Sequence, residues 1–327
     1  MNQALPQNLD QLDLALTEDG FAAKDFSGLV ERVHLHFRYY TELEKELLGT
    51  VPINFPAYLL ETPLSDDPAE GASKVAGLER ERLKLGDGAA GDIVDMLERQ
   101  GHKVYRPSFP ESRLNGFFLF DKVSGPVFVI NRDLDYIETD YVATVLYGHF
   151  LMDHNPYRIE LQVQSGEAAS PNRLRASFFA HEFLISREGL ESYLKALEIE
   201  PGGTLSAEIV SHLATYFEVG VRTMLSRLLT LGYLQQSDLE AMANLEVDFP
   251  ERITTSSTVS ERFTRLALEA HATGHLDRDQ LAAYLETDRP HAMQLADQFK
   301  IPDEVEESGQ MDADEAEDPL EQSDEEL

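Results

Sequence analysis

The sequence predicts an α+β fold: a mainly helical protein with one small antiparallel sheet, followed by a helical C-terminal region. Two observations carry this. Apolar residues recur at helical spacing in segment after segment between Phe26 and Phe299. Only between His102 and Asn131 does the pattern change to aromatic and β-branched runs broken by turn residues.

The first helix is expected from Phe26 to Leu48, where Leu29, Val33, Leu35, Phe37, Tyr40, Leu43, Leu47 and Leu48 recur at helical spacing; Asp25 or Ser27 could cap its start and Gly49 its end. Pro52, Pro56, Pro63 and Pro68 mark an extended connection. Helices follow over about 72–86 and 91–100, the second closed by Gly101. His102–Arg106 reads as a short strand. Asn115–Asp121 (NGFFLFD) and Pro126–Asn131 (PVFVIN) read as a hairpin around DKVSG. Thr139–Asp153 is apolar on most sides and should be a buried helix. Further helices are expected over 172–186, 187–198, Ser206–Tyr216, Val219–Leu231, Ser237–Met242, Ser260–His271, Arg278–Leu285 and Pro290–Phe299.

Composition bounds the chemistry. The chain has 327 residues, 42% of them hydrophobic, and a formal net charge of −33. Residues 303–327 contribute 13 acidic side chains and no basic one, so the rest of the chain carries −20. That tail is too polar to bury a core and is expected to be disordered. A protein this acidic repels a phosphate backbone, which argues against direct nucleic-acid binding. There is no cysteine, so disulfides, thiolate catalysis and Cys-ligated zinc are excluded, and any metal site must use His and carboxylates. The N-terminal residues have no basic region or apolar run of the kind a signal peptide needs, and no run approaches 18 apolar residues. A cytoplasmic location without membrane contact is the resulting expectation.

Three blocks carry a further pattern: VFVIN (127–131), YVATVLYGHFLMD (141–153) and NRLRASFFAHEFLIS (172–186), preceded by LERQGHKV (97–104). Downstream come AEIVSHLATYFEVGVRTMLSRLLTLGYL (207–234) and RFTRLALEAHATGHLDRDQLAAYL (262–285). In order and spacing these resemble the ImmA/IrrE family of metallopeptidase-like proteins. The resemblance covers about residues 30–290 and implies a zincin-like metallopeptidase fold with a zinc helix reading H-E-x-x-H. In such a helix the two histidines, four residues apart, hold zinc from one face, and the Glu is the general base for the metal-bound water. A third ligand, a Glu in that family, comes from the next helix.

Carried over residue by residue, the motif is degenerate. Val145 stands at the first His position, Leu146 at the general-base position and Arg173 at the third-ligand position, whereas Gly148 and His149 are kept. A guanidinium cannot ligate zinc and repels a cation beside it. A shifted site is conceivable: His149 and Asp153 lie four apart on one helix, and His181 and Glu182 lie on the next, a donor set chemically adequate for zinc. Glu167 is an alternative carboxylate on a loop before Pro171. The competing reading leaves His149 as a packed helix histidine, with no cofactor and no catalytic residue.

Other candidates are weaker. GDGAAGD (86–92) lacks the Lys-Ser/Thr of a phosphate loop. Residues 206–231 have helix-turn-helix spacing, but Arg222 and Arg227 are their only basic residues, so a packed helical pair is preferred. Relatives often carry a DNA-binding helix-turn-helix before the peptidase-like region; residues 1–28 lack that pattern. The organisation expected is a flexible segment over 1–25, a metallopeptidase-like domain over 26–200, a helical region over 201–300 and an acidic tail over 301–327. The resemblance implies a partner of the kind family members cleave or control, a helix-turn-helix transcriptional repressor in a stress response. Two functions follow: a non-catalytic pseudo-peptidase that binds such a regulator, or an active zinc endopeptidase using the shifted set.

Overall fold

The computed structural model describes residues 16, 21–51, 56, 67–111, 113–121, 123–153, 159–163, 170–242, 244–250, 252 and 257–299. The acidic tail, most of the N-terminal segment and most of the Pro-rich connection lie outside them. No helix among the described residues is long and apolar enough to cross a membrane.

Helix α1 (Ser27–Leu48) follows a 3₁₀ turn (Ala23–Phe26), and neither Asp25 nor Ser27 is its N-cap: that position is Phe26, with no side-chain cap. Gly49 and Gly101 take the left-handed conformation (φ 68° and 83°) just beyond α1 and the helix over Ile93–Arg99, as their role in ending helices requires. Helix α2 (Pro68–Leu83) starts earlier than its apolar pattern suggested, because Asp67 caps it and Pro68 is tolerated in the first turn. Helix α3 (Ile93–Arg99) is capped by Asp92.

The sheet corrects the expectation of a purely antiparallel hairpin region. It has four strands in the order β1-β3-β2-β4: β1 (Lys103–Tyr105), β2 (Leu114–Asp121), β3 (Gly125–Ile130) and β4 (Ile159–Val163). Strand β1 runs parallel to β3, while β2 is antiparallel to both β3 and β4. The sheet is therefore mixed, and β4 was not anticipated.

The remaining helices are α4 (Tyr136–Asp153), α5 (Pro171–Leu184), α6 (Arg187–Ala196), α7 (Ala207–Tyr216), α8 (Val221–Thr230), α9 (Gln236–Met242), α10 (Glu261–Ala272), α11 (Arg278–Tyr284) and α12 (Arg289–Gln298). They sort onto the two faces of the sheet. Phe118, Phe128 and Ile130 point into a core shared with α2 to α9. Phe117, Leu119, Val127 and Val129 point into a second core closed by α1 and α10 to α12. Burial on both faces explains why FFLF and VFVI are continuous apolar runs rather than alternating ones. The C-terminal helices thus cover the sheet's second face.

The second core contains polar groups that it must satisfy. Lys103 and Glu44 are 1% and 0% exposed and pair at 2.7 Å. Arg262 on α10 reaches the same carboxylate at 2.8 Å and the Tyr40 hydroxyl at 2.9 Å. This network ties α1, β1 and α10 together. Nearby His36 is buried and stacks on Tyr105 with ring centroids 4.2 Å apart. Burial pushes its imidazole down to about 3. The folded ring stays neutral while the unfolded ring takes up a proton near pH 6.5, so this group withdraws stability as pH falls below 6.5. His36→Phe should remove that contribution. In urea titrations, its stability relative to the parent should rise by about 1.4 kcal/mol for each pH unit below 6.5. A pH-independent difference would show that His36 is not held neutral.

Candidate functional site

Helix α4, which holds the positions the resemblance assigns to the zinc motif, runs through the middle of the first core. Its side chains are apolar on nearly every side, as a helix packed between a sheet and other helices requires. Val145 is fully buried and packs on Ala176 and Ala180 of α5, with Tyr141 beside them. Leu146 is fully buried in the main core. At Gly148 a Cβ would lie 2.8 Å from the Phe179 ring, so the glycine is what lets α4 and α5 approach this closely. His149 is 1% exposed on the same helix. Arg173 is half-buried in the first turn of α5, where its backbone N–H is capped by the Ser170 hydroxyl at 3.3 Å.

These residues do not fit the zinc that the family pattern implies. Two of the positions that should present a ligand and a base are core hydrocarbon, and the third presents a guanidinium. Where α4 meets α5, Val145, Ala176 and Ala180 form a buried apolar contact. A contact of this kind offers no ligand to a metal and no base to a metal-bound water.

Among the described residues, His149, His181 and Glu182 form no group disposed to hold a metal. Glu182 is 7% exposed and fully engaged: it accepts from Ser73 Oγ at 3.1 Å and from the Arg187 N–H at 3.2 Å, and it pairs with Arg227 at 2.5 Å. Arg227, 3% exposed, also donates to the Ile185 carbonyl at 3.1 Å. Glu182 is therefore the centre of a buried ion pair joining α2, α5 and α8, a structural role that competes directly with metal ligation. His181 lies beside the Tyr141 ring, 6.0 Å between centroids. Burial and then the Arg227 charge push its imidazole down to about 4, so it is neutral at physiological pH. Asp153 ends α4, but its side chain, like Glu167, lies outside the described residues. Among the described residues no group of three or more His, Asp or Glu side chains is disposed to hold a metal.

Sequence reasoning missed what Tyr147 does. Its hydroxyl donates to Glu79 at 2.5 Å, and Arg82 closes on the same carboxylate at 3.0 and 3.1 Å. Burial, reinforced by Glu79, drives the phenol pKa upward, so Tyr147 stays protonated and acts as a donor. The signal was a lone carboxylate, Glu79, on the apolar side of α2.

The two minor candidates resolve structurally. In GDGAAGD the carbonyls of Gly86 and Gly88 converge on the buried Arg80 guanidinium at 2.6 and 2.7 Å, the opposite polarity to a phosphate cradle. In the helix-turn-helix-like pair, Arg227 is sealed against Glu182, so only Arg222 of the two faces solvent. That is too little positive charge for a recognition helix.

Residues 97–229 match the family model of peptidase M78, the IrrE N-terminal-like domain. No curated protein matches the chain significantly. The matched segment begins in α3, contains all four strands and α4, and ends in α8. Over residues 97–229, therefore, the chain carries a domain similar to the IrrE N-terminal-like domain of the peptidase M78 family.

Proposed function

We propose that the chain is a pseudo-peptidase: a regulatory protein that binds a helix-turn-helix transcriptional repressor without cutting it. One observation carries this reading. The positions that should hold and use zinc are Val145, Leu146 and Arg173, and the first two are built into the core between α4, α5 and the sheet. Restoring chemistry there would mean rebuilding a packed interface, not filling an available site. The alternative endopeptidase, with His149, Asp153, His181 and Glu182 around zinc, is disfavoured by the Arg227 ion pair that engages Glu182. The partner class rests on the family resemblance and on charge: a net −33 suits a basic, DNA-binding partner better than nucleic acid itself.

The test is to mix the purified chain with the repressor encoded beside its gene, with and without added zinc. The expected outcome is a stable complex by size-exclusion chromatography, with the repressor intact on a denaturing gel. Zinc-dependent cleavage that disappears in His149→Ala would establish the endopeptidase instead.

A further inference from the structure

One arginine occupies a binding site supplied by the rest of the molecule. Residues 245–250 form neither helix nor strand and cross the start of α4. The Tyr136 hydroxyl donates to the Pro250 carbonyl at 3.0 Å, and the Tyr136 and Phe249 rings meet edge-on at 6.3 Å. Arg252 then places its guanidinium 4.5 Å above the Tyr136 ring. One terminal nitrogen binds Asp140 at 2.5 Å, with Asp92 3.9 Å away, and the other binds Glu218 at 2.6 Å. An aromatic face and carboxylates arranged around a planar cation are what arginine recognition needs.

The cage is more than a surface ion pair. Asp140 is 4% exposed and accepts from the Ile93 N–H at 3.0 Å, which fixes its direction. Burial pushes its carboxyl up to about 7, while Arg252 pulls it back down. Alongside lies a cavity of about 130 Å³ whose lining includes Asp92, Asp95, Glu98, Arg106 and Glu261. Its charge balance is acidic, and space remains next to the guanidinium for the rest of an incoming side chain. Arg252 lies beyond the family-matched segment, whereas Asp140 and Glu218 lie within it. The site therefore belongs to the peptidase-like body and its occupant to the chain that follows.

We propose that Asp140, Glu218 and Tyr136 form a guanidinium-binding site that Arg252 fills in the free protein, and that an arginine of a basic partner protein claims this site by displacing Arg252. The partner's identity rests on the regulatory reading above; the site does not. Self-occupancy makes Arg252 a competitor that sets the threshold for partner binding. If it fills the cage more than about nine-tenths of the time, removing it tightens the apparent affinity for an external guanidinium at least about tenfold.

The experiment uses the full chain and N-acetyl-arginine amide as probe, with the uncharged N-acetyl-citrulline amide as control, followed by NMR titration. Arg252→Ala should bind the arginine probe at least tenfold more tightly than the parent. Adding Asp140→Asn should remove that gain, and the citrulline probe should not bind. No saturable binding to a folded Arg252→Ala chain, or binding indifferent to Asp140→Asn, overturns the proposal. Should Arg252→Ala not fold, hydrogen exchange on the parent decides: the probe should speed exchange across 245–250, and unchanged exchange overturns it. A repressor complex that persists undiminished in Asp140→Asn would remove this site while leaving the regulatory reading intact. Absence of any complex would remove that reading without touching the probe result.

Discussion

Arg227→Met should destabilise the protein by about 3–5 kcal/mol, because it leaves the Glu182 carboxylate buried without its counter-charge. Arg227 is 3% exposed and meets Glu182 at 2.5 Å, so water cannot replace the lost guanidinium. Neighbouring donors, Ser73 Oγ and the Arg187 N–H, satisfy lone pairs but not charge. The double variant Arg227→Met/Glu182→Gln should recover at least about 1 kcal/mol of that loss, since a buried pair removed together is replaced more easily than a pair broken. Urea unfolding of the two single variants and the double variant measures this coupling. Strictly additive losses would mean that Glu182 does not depend on Arg227 and is available for another role, metal ligation included.

Glu44→Leu should be comparably severe, again about 3–5 kcal/mol. It strips the counter-ion from Lys103, which is 1% exposed, and from Arg262, 2.8 Å from the same carboxylate. These three residues bind α1, β1 and α10, so the layer on the sheet's second face should loosen first. Adding Lys103→Met to Glu44→Leu should restore part of the loss, because the most deeply buried cation goes with its partner. A Glu44→Leu chain as stable as the parent would show that the network does not hold this layer.

Much of the architecture was legible because local patterns and tertiary demands agree. Asp92, Ser170 and Ser206 cap helices whose apolar stripes the sequence displays. The hairpin β2–β3 was plain in its aromatic runs. Strand β4 was present as the alternation Ile159, Leu161, Val163, but five residues give a weak period-2 signal and it sits between two stronger helices. The parallel placement of β1 could not be read, since three residues, one of them a buried lysine, do not state their partner.

The site divides in the same way. That Val145, Leu146 and Arg173 cannot do zinc chemistry is a property of the residues themselves. That Glu182 is already engaged depends on Arg227, 45 positions later, and the Arg252 cage joins positions separated by 112 residues from Asp140. Such pairings are set by the packing of α5 on α8 and by the placement of residues 245–250 and of Arg252, which no local pattern encodes.

We propose that the positions the family pattern assigns to zinc, Val145 and Leu146 among them, serve as core in this chain. Elemental analysis of the full chain, purified without chelator and dialysed after exposure to excess zinc, tests it most directly. The expected result is far less than one zinc per chain, unchanged by His149→Ala. One tightly held zinc per chain, lost in His149→Ala, would contradict the account and return the protein to the endopeptidases.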